Sequence, residues 1–420
     1  MRVLYTVLLY LLTPFVLLRL LWRSLSLSAY RRRWGERFGY VAAPAEPAAV
    51  WVHAVSVGET LAALPLIRAL VARHGAGRVW VTTTTPTGSE RVQALLGADV
   101  RHTYAPYDLP DVVARFLKRV RPRQIVVMET ELWPNLLRAT AARGIPLTIA
   151  NARLSPRSFK GYAKVAGFAR STLADCAHIA AQSEADAQRF RVLGAPEARV
   201  SVMGNIKFDQ AIPEGQRALG AQLRARLGAR PVWVAASTHE GEDEILLAAH
   251  RELLRTDPSA LLILVPRHPQ RFDAVARLVE KEKLSLQRRS AIGAFDAPGA
   301  IDAQVLLGDS MGEMFAYFAA GDVAFVGGSL LPVGGHNVLE PATLGLPVLF
   351  GPHMHNFVQA RDLLMEAQGG IQVSANSLPE SLRVLLHDER RRREIGDAGR
   401  AVVAANRGAL QRLLAVIGEA

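Results

Sequence analysis

The sequence predicts an α/β protein in which two doubly wound, Rossmann-like domains follow an apolar N-terminal helix. Three observations support this class: the length of 420 residues, an apolar run at 3–21, and, from about residue 50, short β-branched runs that alternate with amphipathic stretches. Single cores stop growing at roughly 250–300 residues, so the length favours two domains. Alternating strand and helix patterns are typical of parallel sheets.

The N-terminal tenth of the chain combines the apolar run with half of the excess positive charge. Residues 1–40 hold seven arginines against Glu36 alone, which is +6 of the net charge of +12. The run approaches the roughly 20 residues that span a bilayer, and it leads into Trp22-Arg23 rather than into a small-residue cleavage site. Arginines after an apolar segment favour the cytoplasmic face of an inner membrane for the body of the protein.

We therefore predict a retained membrane anchor and a basic juxtamembrane segment at 1–40. The sequence leaves open whether the run spans the membrane or lies in its interface. A buried N-terminal helix is the alternative, but its flanking arginines would be hard to satisfy in a core.

Two sets of strands are predicted. The first set is Val50–Ala54, Val79–Thr83, Ile125–Met128, Leu147–Ala150, Ile179–Ala181 and Val200–Met203, and the second is Val232–Ala235, Leu261–Val265, Val305–Leu307, Val323–Val326 and Pro347–Phe350. A polar segment with Pro213, Gly215 and Gly220 separates them. We therefore predict a first Rossmann-like domain at 45–210, a linker at 211–230 and a second Rossmann-like domain with C-terminal helices at 231–420.

Composition restricts the cofactor chemistry. The single cysteine, Cys176, excludes an intramolecular disulfide and argues against a Cys-based metal cluster. No Walker-type loop and no Asp-x-Asp motif after a strand is present, and His336, His353 and His355 lack a further ligand set. We expect no metal, no cofactor and no nucleic-acid partner.

Ligands bind beyond the carboxyl ends of the strands in open parallel sheets, so the loops that follow the strands are the candidate site. In the first domain, Glu59 follows Gly58 at a helix start and is a candidate general base, although it could merely favour the helix N-terminus. Glu129 and Glu131 follow another strand, and helix capping would explain only one of them. Lys207 could neutralise an acidic donor, or it could pair with Asp209.

In the second domain, a glycine-rich loop at Gly327–Pro341 follows a buried-looking strand and opens a helix. Glu340 there cannot bind a phosphate, because both are anions, but it can accept hydrogen bonds from ribose hydroxyls. Arg267 after another strand supplies a forked cation for phosphate. Ser310 and Glu313 match a capping box, and the same helix start offers N–H groups to a phosphate. Together these loops predict a nucleotide site.

Several motifs together resemble those of the Kdo (3-deoxy-D-manno-octulosonic acid) transferases of Gram-negative lipopolysaccharide synthesis. The likeness covers nearly the whole chain, including the N-terminal segment. The motifs that carry it are Ser56–Glu59, Glu129–Asn135, Asn151–Ser155, Pro266–Pro269, Met311–Glu313, Gly327–Glu340 and Tyr30–Phe38.

The resemblance implies a GT-B glycosyltransferase whose two domains face an interdomain cleft. It implies a CMP-Kdo donor, a lipid A precursor (lipid IVA) as acceptor, and inversion without a metal. By resemblance, Glu59 is the general base, and Glu129 and Lys207 support the transition state. The CMP contacts that it implies are Pro266, Arg267, Met311, Gly312, Glu313, Asn337, Val338, Leu339 and Glu340.

Two other interpretations stay open from the sequence. One is a related GT-B enzyme that uses a UDP-sugar, or a sugar-nucleotide epimerase. The other is a membrane-tethered nucleotide-binding or scaffold protein without turnover, which the carboxylates at the first sheet's edge argue against.

Overall fold

The computed structural model describes residues 1–209 and 212–418, and these residues form two α/β units. The first unit combines Met1–Asp209 with the chain from Arg407 onward, and the described residues between them form the second. Each unit is built on a seven-stranded sheet in which all paired strands are parallel. The prediction of two parallel-sheet domains after an apolar N-terminal helix is confirmed.

The first sheet has the strand order β3-β2-β1-β4-β5-β6-β7. Its strands are β1 (Val50–His53), β2 (Val79–Thr83), β3 (Val100–Tyr104), β4 (Gln124–Met128), β5 (Leu147–Ala152), β6 (His178–Ala181) and β7 (Val200–Val202). Its helices are α1 (Arg2–Ser26), α2 (Trp34–Arg37), α3 (Val57–His74), α4 (Pro86–Leu96), α5 (Pro110–Val120), α6 (Pro134–Ala141), α7 (Pro156–Ala163), α8 (Ala166–Leu173) and α9 (Glu184–Val192), with short 3-10 turns at Ser28–Arg31, Gly97–Asp99, Glu197–Arg199 and Ile206–Asp209.

The second sheet has the order β10-β11-β9-β8-β12-β13-β14. Its strands are β8 (Val232–Thr238), β9 (Leu261–Pro266), β10 (Leu286–Arg288), β11 (Val305–Leu307), β12 (Val323–Val326), β13 (Val348–Phe350) and β14 (Gly370–Gln372). Its helices are α10 (Gln216–Leu227), α11 (Glu242–Thr256), α12 (Phe272–Lys281), α13 (Met314–Ala320), α14 (Leu339–Leu344), α15 (Val358–Glu366), α16 (Leu378–His387) and α17 (Glu389–Ala405), with 3-10 turns at Pro269–Arg271 and Arg289–Ala291.

Helices cover both faces of each sheet, and the central strands are therefore buried on both sides. Every residue of β1, β2, β5 and β9 is buried, which explains why these strands read as continuous apolar or small-residue runs. Trp51 packs against Phe116 of α5, and its indole N–H donates to Thr82 Oγ1 at 2.8 Å. The large aromatic core residue thus keeps its one polar atom satisfied.

The chain reverses its direction of progress across each sheet once. In the first sheet the reversal separates β1 from β4, and in the second it separates β8 from β12. Crossovers on the two sides of such a point diverge, and the crevice that they leave at the carboxyl ends of the strands is the usual ligand site. The loops after β1, β4, β8 and β12 are therefore where this fold favours a ligand site.

The predicted linker and C-terminal boundary need correction. The predicted boundary at 210–211 lies outside the described residues, but most of the predicted linker at 211–230 is helix α10, which packs on α13. A Cβ at Gly220 would lie 2.4 Å from Ala319 Cβ, so glycine permits this close helix contact. The segment reads as a linker because its outer face is polar, although its inner face is part of the second core.

The last helix, α18 (Ala409–Gly418), belongs to the first unit. The prediction, which placed it in the second domain, needs correction. Its buried residues Ala409, Leu413 and Ile417 join the core of β1, β2 and α3. The carboxylate of Asp209 accepts hydrogen bonds from the Gly408 and Leu410 N–H groups at the start of this helix. An amphipathic helix carries no sequence signal that says which of two sheets it covers.

We expect Leu413→Ala to lower the free energy of unfolding of the first unit by about 2–5 kcal/mol, because it leaves a cavity in a core in which Leu413 is fully buried. The measurement is urea denaturation followed by circular dichroism. Gln411→Ala, on the exposed face of the same helix, is the matched control and should change the free energy by less than about 0.5 kcal/mol. Equal stability of both variants would show that α18 is not part of this core.

Candidate active site

Glu59 lies at the switch point of the first sheet, in the first turn of α3 directly after β1. Ser56 caps the helix: its Oγ accepts from the Glu59 N–H at 3.3 Å and donates to Glu59 Oε1 at 3.1 Å. Glu59 Oε2 accepts from the Val55 N–H at 2.8 Å. The capping role considered from sequence is therefore present, and it fixes the carboxylate at the sheet edge.

The electrostatic environment of Glu59 favours its protonated form. Burial above all, together with the nearby carboxylates of Glu129 and Glu131, raises its pKa to about 7, although the hydrogen bonds from Val55 and Ser56 act in the opposite direction. A carboxyl group whose pKa lies near neutrality can both accept and release a proton under physiological conditions. This property goes beyond what a helix cap requires.

Space is open next to this carboxylate at Gly58. A Cβ built on this exposed residue would meet no atom closer than Ser56 Oγ at 3.8 Å. The fold itself therefore does not require glycine at this position. The absence of a side chain leaves room for a ligand to approach the backbone beside Glu59.

Glu129 and Glu131 follow β4, across the switch point from Glu59, and neither caps the helix that follows. Glu129 has a left-handed backbone, with φ of 55°, and its Oε1 lies 3.7 Å from Lys207 Nζ. Glu131 Oε2 accepts from the Trp133 indole N–H at 2.8 Å, and burial followed by the charge of Glu129 raises its pKa. Helix capping, the alternative considered from sequence, therefore explains neither carboxylate.

Asp108 caps α6 instead, and the sequence analysis missed it. Its carboxylate accepts from the Asn135 and Leu136 N–H groups at 3.0 and 2.7 Å. Asp108 lies 27 residues before Asn135 in the first turn of this helix. The local rule that places a cap next to its helix therefore has no means of finding it.

Lys207 reaches Glu129 from the turn after β7, and a chain of side-chain amides holds that turn. Asn205 Oδ1 accepts from the Lys207 N–H, and Asn205 Nδ2 donates to Gln182 Oε1 at 3.2 Å. Gln182 Nε2 donates to the carbonyl of Asn151, whose Oδ1 accepts from the Ile206 N–H. Lys207 is thus placed beside Glu129, whereas the Asp209 carboxylate, its alternative partner from sequence, binds the start of α18.

In the second unit, the glycine-rich loop after β12 is fastened by Glu242 of α11. This fully buried carboxylate accepts from the N–H groups of Gly328, Ser329 and Leu330 at 2.6, 2.9 and 2.9 Å, and from the His239 N–H at 3.1 Å. Sequence reasoning missed Glu242. Its partners in this loop lie 86–88 residues away in sequence, and no local motif connects them to it.

A second connection joins this loop to the end of β8. His336 Nε2 and His239 Nε2 lie 2.7 Å apart, the rings stack within 5° of parallel, and His268 packs edge-on against His239. Burial, the charge of Arg267 and the neighbouring imidazoles lower the pKa of His336 to about 3. At neutral pH the ring is uncharged, so one of the two imidazoles donates and the other accepts.

Five of the predicted nucleotide contacts differ in burial. Arg267, Asn337 and Glu340 are half-buried, and Asn337 Nδ2 donates to Glu340 Oε1 at 3.1 Å. Val338 and Leu339 are buried in the core, so their side chains build the wall that carries Asn337 and Glu340.

The segment 311–313 follows β11. Met311 is exposed, Gly312 has φ of 86°, and the Glu313 carboxylate accepts from Arg289 Nε and Nη2 at 2.9 and 2.8 Å. Burial would raise the pKa of Glu313, but hydrogen bonds from Arg289 and Ser310 lower it below its usual value. Ser310 donates to Glu313 and does not cap α13, so the capping-box alternative is wrong.

Pro266 ends β9, and the Arg267 N–H donates to the Thr238 carbonyl at 3.0 Å. The backbone at 266–267 is therefore fixed to the end of β8, the strand at the second switch point. Among the described residues, no group of three or more His, Cys, Asp and Glu side chains is arranged to hold a metal ion.

Comparison with known proteins identifies the chemistry. Residues 32–210 match the family model described as 3-deoxy-D-manno-octulosonic-acid transferase (kdotransferase). The chain is 44% identical over 418 residues to the 3-deoxy-D-manno-octulosonic acid transferase of Haemophilus influenzae, covering 98% of this chain and 97% of that one. It is 41% identical over 393 residues to the enzyme of the same name from Bordetella pertussis, covering 90% and 89%.

A solved structure supports the fold. The UDP-GlcNAc 2-epimerase of Neisseria meningitidis aligns with a TM-score of 0.58 at 14% identity, over 88% of this chain and all of that one. At this identity the likeness bears on architecture alone, and it agrees with the predicted GT-B class of two parallel-sheet α/β domains. With near full-length identity above 40% to two curated enzymes, the chain belongs to the Kdo transferase family and is a glycosyltransferase.

Proposed function

We propose that this enzyme transfers Kdo from CMP-Kdo to a lipid A precursor, lipid IVA, in lipopolysaccharide biosynthesis, with inversion and without a metal ion. The observation that carries the mechanism is Glu59, a carboxyl group at the switch point of the first sheet whose pKa is raised to about 7. Family membership supports the transferred sugar. The donor, the acceptor and the stereochemical outcome are parts of the proposal that go beyond family membership.

Glu59 acts as the general base in this proposal. The acceptor hydroxyl oxygen forms a bond to the anomeric carbon of Kdo, and its proton passes to the Glu59 carboxylate. The bond from that carbon to the CMP phosphate oxygen breaks, and the electron pair leaves with CMP. A positioned base contributes roughly 10²–10⁴-fold to such a step, because a sugar hydroxyl is a poor nucleophile at neutral pH.

Glu129 and Lys207 support the transition state. Lys207 lies 3.7 Å from Glu129 and brings a positive charge to an edge that holds three carboxylates, the third being Glu131. Such a charge limits the mutual repulsion that raises the pKa of Glu59. Without it, we expect Glu59 to stay protonated to higher pH.

The second unit binds the CMP part of the donor in this proposal. The N–H groups of Gly328, Ser329 and Leu330 already donate hydrogen bonds to Glu242, so they are not free for a phosphate. The half-buried guanidinium of Arg267 is then the better phosphate partner. Glu340, with Asn337 beside it, is suited to the ribose hydroxyls.

We also propose attachment to the cytoplasmic face of the inner membrane through the N-terminal segment. Helix α1 is long and apolar enough to cross a membrane, with a mean hydropathy of 2.0 over its best window. A lipid acceptor stays in the bilayer, so an attached enzyme meets it at a high local concentration.

We expect purified enzyme with CMP-Kdo and lipid IVA to release CMP and to form a Kdo-bearing lipid that mass spectrometry detects. Glu59→Gln should lower kcat by roughly 10²–10⁴-fold while donor affinity, measured by calorimetry, stays unchanged, because the amide cannot accept the proton. Glu90→Gln on α4 is the matched control and should retain full activity. A fully active Glu59→Gln enzyme would remove the base assignment, and release of UDP from a UDP-sugar would contradict the donor.

The pH dependence should show an acidic limb. Only the deprotonated form of Glu59 accepts a proton, so kcat/KM should rise as pH increases through about 7. Glu131→Gln removes a negative charge that raises this pKa, and the limb should move to lower pH. Initial rates from pH 5 to 9 measure both profiles, and a limb that Glu131→Gln does not move would contradict the assignment.

We expect Arg267→Ala to raise KM for CMP-Kdo at least tenfold, because the donor phosphate loses its forked cation. Arg277→Ala, an exposed arginine on α12, controls for the loss of one positive charge in the same unit. Steady-state kinetics with varied donor and saturating acceptor make the measurement. Equal KM values for the two variants would exclude Arg267 from the phosphate site.

A further inference from the structure

Helix α1 has two faces along its whole length. The midline of the outward face is apolar and consists of Leu4, Leu8, Leu11, Phe15, Leu18, Trp22 and Leu25, all of them exposed. The inward face carries the less exposed residues Arg2, Tyr5, Thr6, Leu9, Thr13, Leu17, Leu20 and Ser24. Both sets recur every three to four residues, which is the period of one side of a helix.

The beginning of α1 is bonded to the globular part of the first unit. Arg2 pairs with Asp175 at 2.9 Å, and Tyr5 OH donates to the buried Asp108 carboxylate at 2.9 Å. Thr6 Oγ1 donates to Asn135 Oδ1 at 3.1 Å at the start of α6. These bonds hold the first turns of the helix beside α5, α6 and α8.

A further bond extends this contact along the helix. Tyr10 OH donates to Asp111 Oδ1 at 2.6 Å in the first turn of α5. The Tyr5 ring also packs against Phe168 of α8, with 5.7 Å between the ring centroids. The first nine residues of α1 therefore lie against the unit and do not extend away from it.

The end of α1 is tied back to the same unit within a few residues. Ser24 Oγ accepts from Arg31 Nε at 2.8 Å in the turn that follows the helix. Arg33 then donates to Ser89 Oγ at 2.9 Å and to the His102 carbonyl at 3.1 Å, next to α4 and β3. Both ends of the helix are thus connected to the globular unit.

This arrangement is incompatible with a crossing. A helix of 25 residues is about 37 Å long, and crossing a hydrocarbon core of about 30 Å would carry its first turn to the far side of the membrane. The inward carboxylate, hydroxyl and guanidinium contacts would then break, and those polar groups would face lipid without partners.

We infer that α1 lies in the plane of the membrane interface, with its apolar face buried among the acyl chains of an anionic bilayer. The inference deepens the proposed membrane attachment and rests on it. Arg19 and Arg23 are exposed on the helix, where their long side chains reach lipid phosphates. Met1 and the body of the enzyme are then on the same side of the membrane.

The first test determines the side on which the N-terminus lies. A peptide with a protease site is placed before Met1 of the full chain, and sealed inverted inner-membrane vesicles are treated with protease. An in-plane helix predicts cleavage without detergent, as rapid as cleavage of an exposed site in the globular unit. Cleavage only after detergent would overturn the inference, because it would place the N-terminus across the membrane.

The second test measures depth. Nitroxide labels on Leu8→Cys, Phe15→Cys and Trp22→Cys in phosphatidylglycerol-containing vesicles should all lie at similar depths of about 5–10 Å below the headgroups. A crossing helix would instead place Phe15→Cys deepest, near the bilayer centre. Leu9→Cys on the inward face is the matched control and should be shallower than its neighbours. Loss of the enzyme from the membrane fraction would contradict the attachment itself and so separates the two failures.

Discussion

Parallel strands are joined by crossovers, and the direction in which those crossovers progress changes once in each sheet of this enzyme. The change occurs between β1 and β4 in the first sheet and between β8 and β12 in the second. Glu59 and Glu129 follow the first pair of strands, and His239 and the glycine-rich loop follow the second pair. The positions of the chemical groups are therefore a consequence of sheet topology, because only at these points do neighbouring loops diverge enough to admit a ligand.

Two glutamates of this enzyme show that the same type of side chain can have different roles. Glu242 is fully buried and accepts hydrogen bonds from four N–H groups, three of them in the glycine-rich loop, so it holds that loop in place. Glu59 accepts from two donors only, and burial, followed by the charges of Glu129 and Glu131, raises its pKa to about 7. Burial and nearby negative charge therefore outweigh the two hydrogen bonds at Glu59, which suits its carboxyl group to the proposed proton transfer.

Much of the fold was predictable, and the failures have physical causes. The buried strands Val50–His53 and Leu261–Pro266 show long apolar runs, whereas the missed strands β3, β10 and β14 lie near or at sheet edges and include polar residues or begin with glycine. Edge strands are short and face solvent, so the apolar signal is weak. The linker was misread for a related reason, since α10 exposes a polar face.

Residues of the candidate site were predictable where they lie in a loop that follows a strand. The residues that support them were not, because they bind groups far away along the chain. Glu59 and Lys207 stand directly after strands. Asp108 and Glu242, by contrast, bind backbone groups that lie 27 to 88 residues away in sequence. No periodicity or local motif encodes such partners. They become visible only when the buried N–H groups of the folded chain are matched with acceptors.

Backbone conformation marks the carboxyl ends of strands in both sheets. Among the described residues other than glycine, seven have left-handed φ values, and three of these, Glu129, Asn151 and Ser237, stand at or just after the carboxyl ends of β4, β5 and β8. A residue with a Cβ pays of order 1–3 kcal/mol for such a conformation and keeps it only where surrounding bonds enforce it. The Glu129 N–H donates to the Ala150 carbonyl at 2.9 Å, and Asn151 is held by Gln182 and Ile206. The hydrogen bonding between β4 and β5 thus continues to Glu129, where the chain turns sharply. This turn directs the Glu129 side chain to Lys207 at the edge where Glu59 lies.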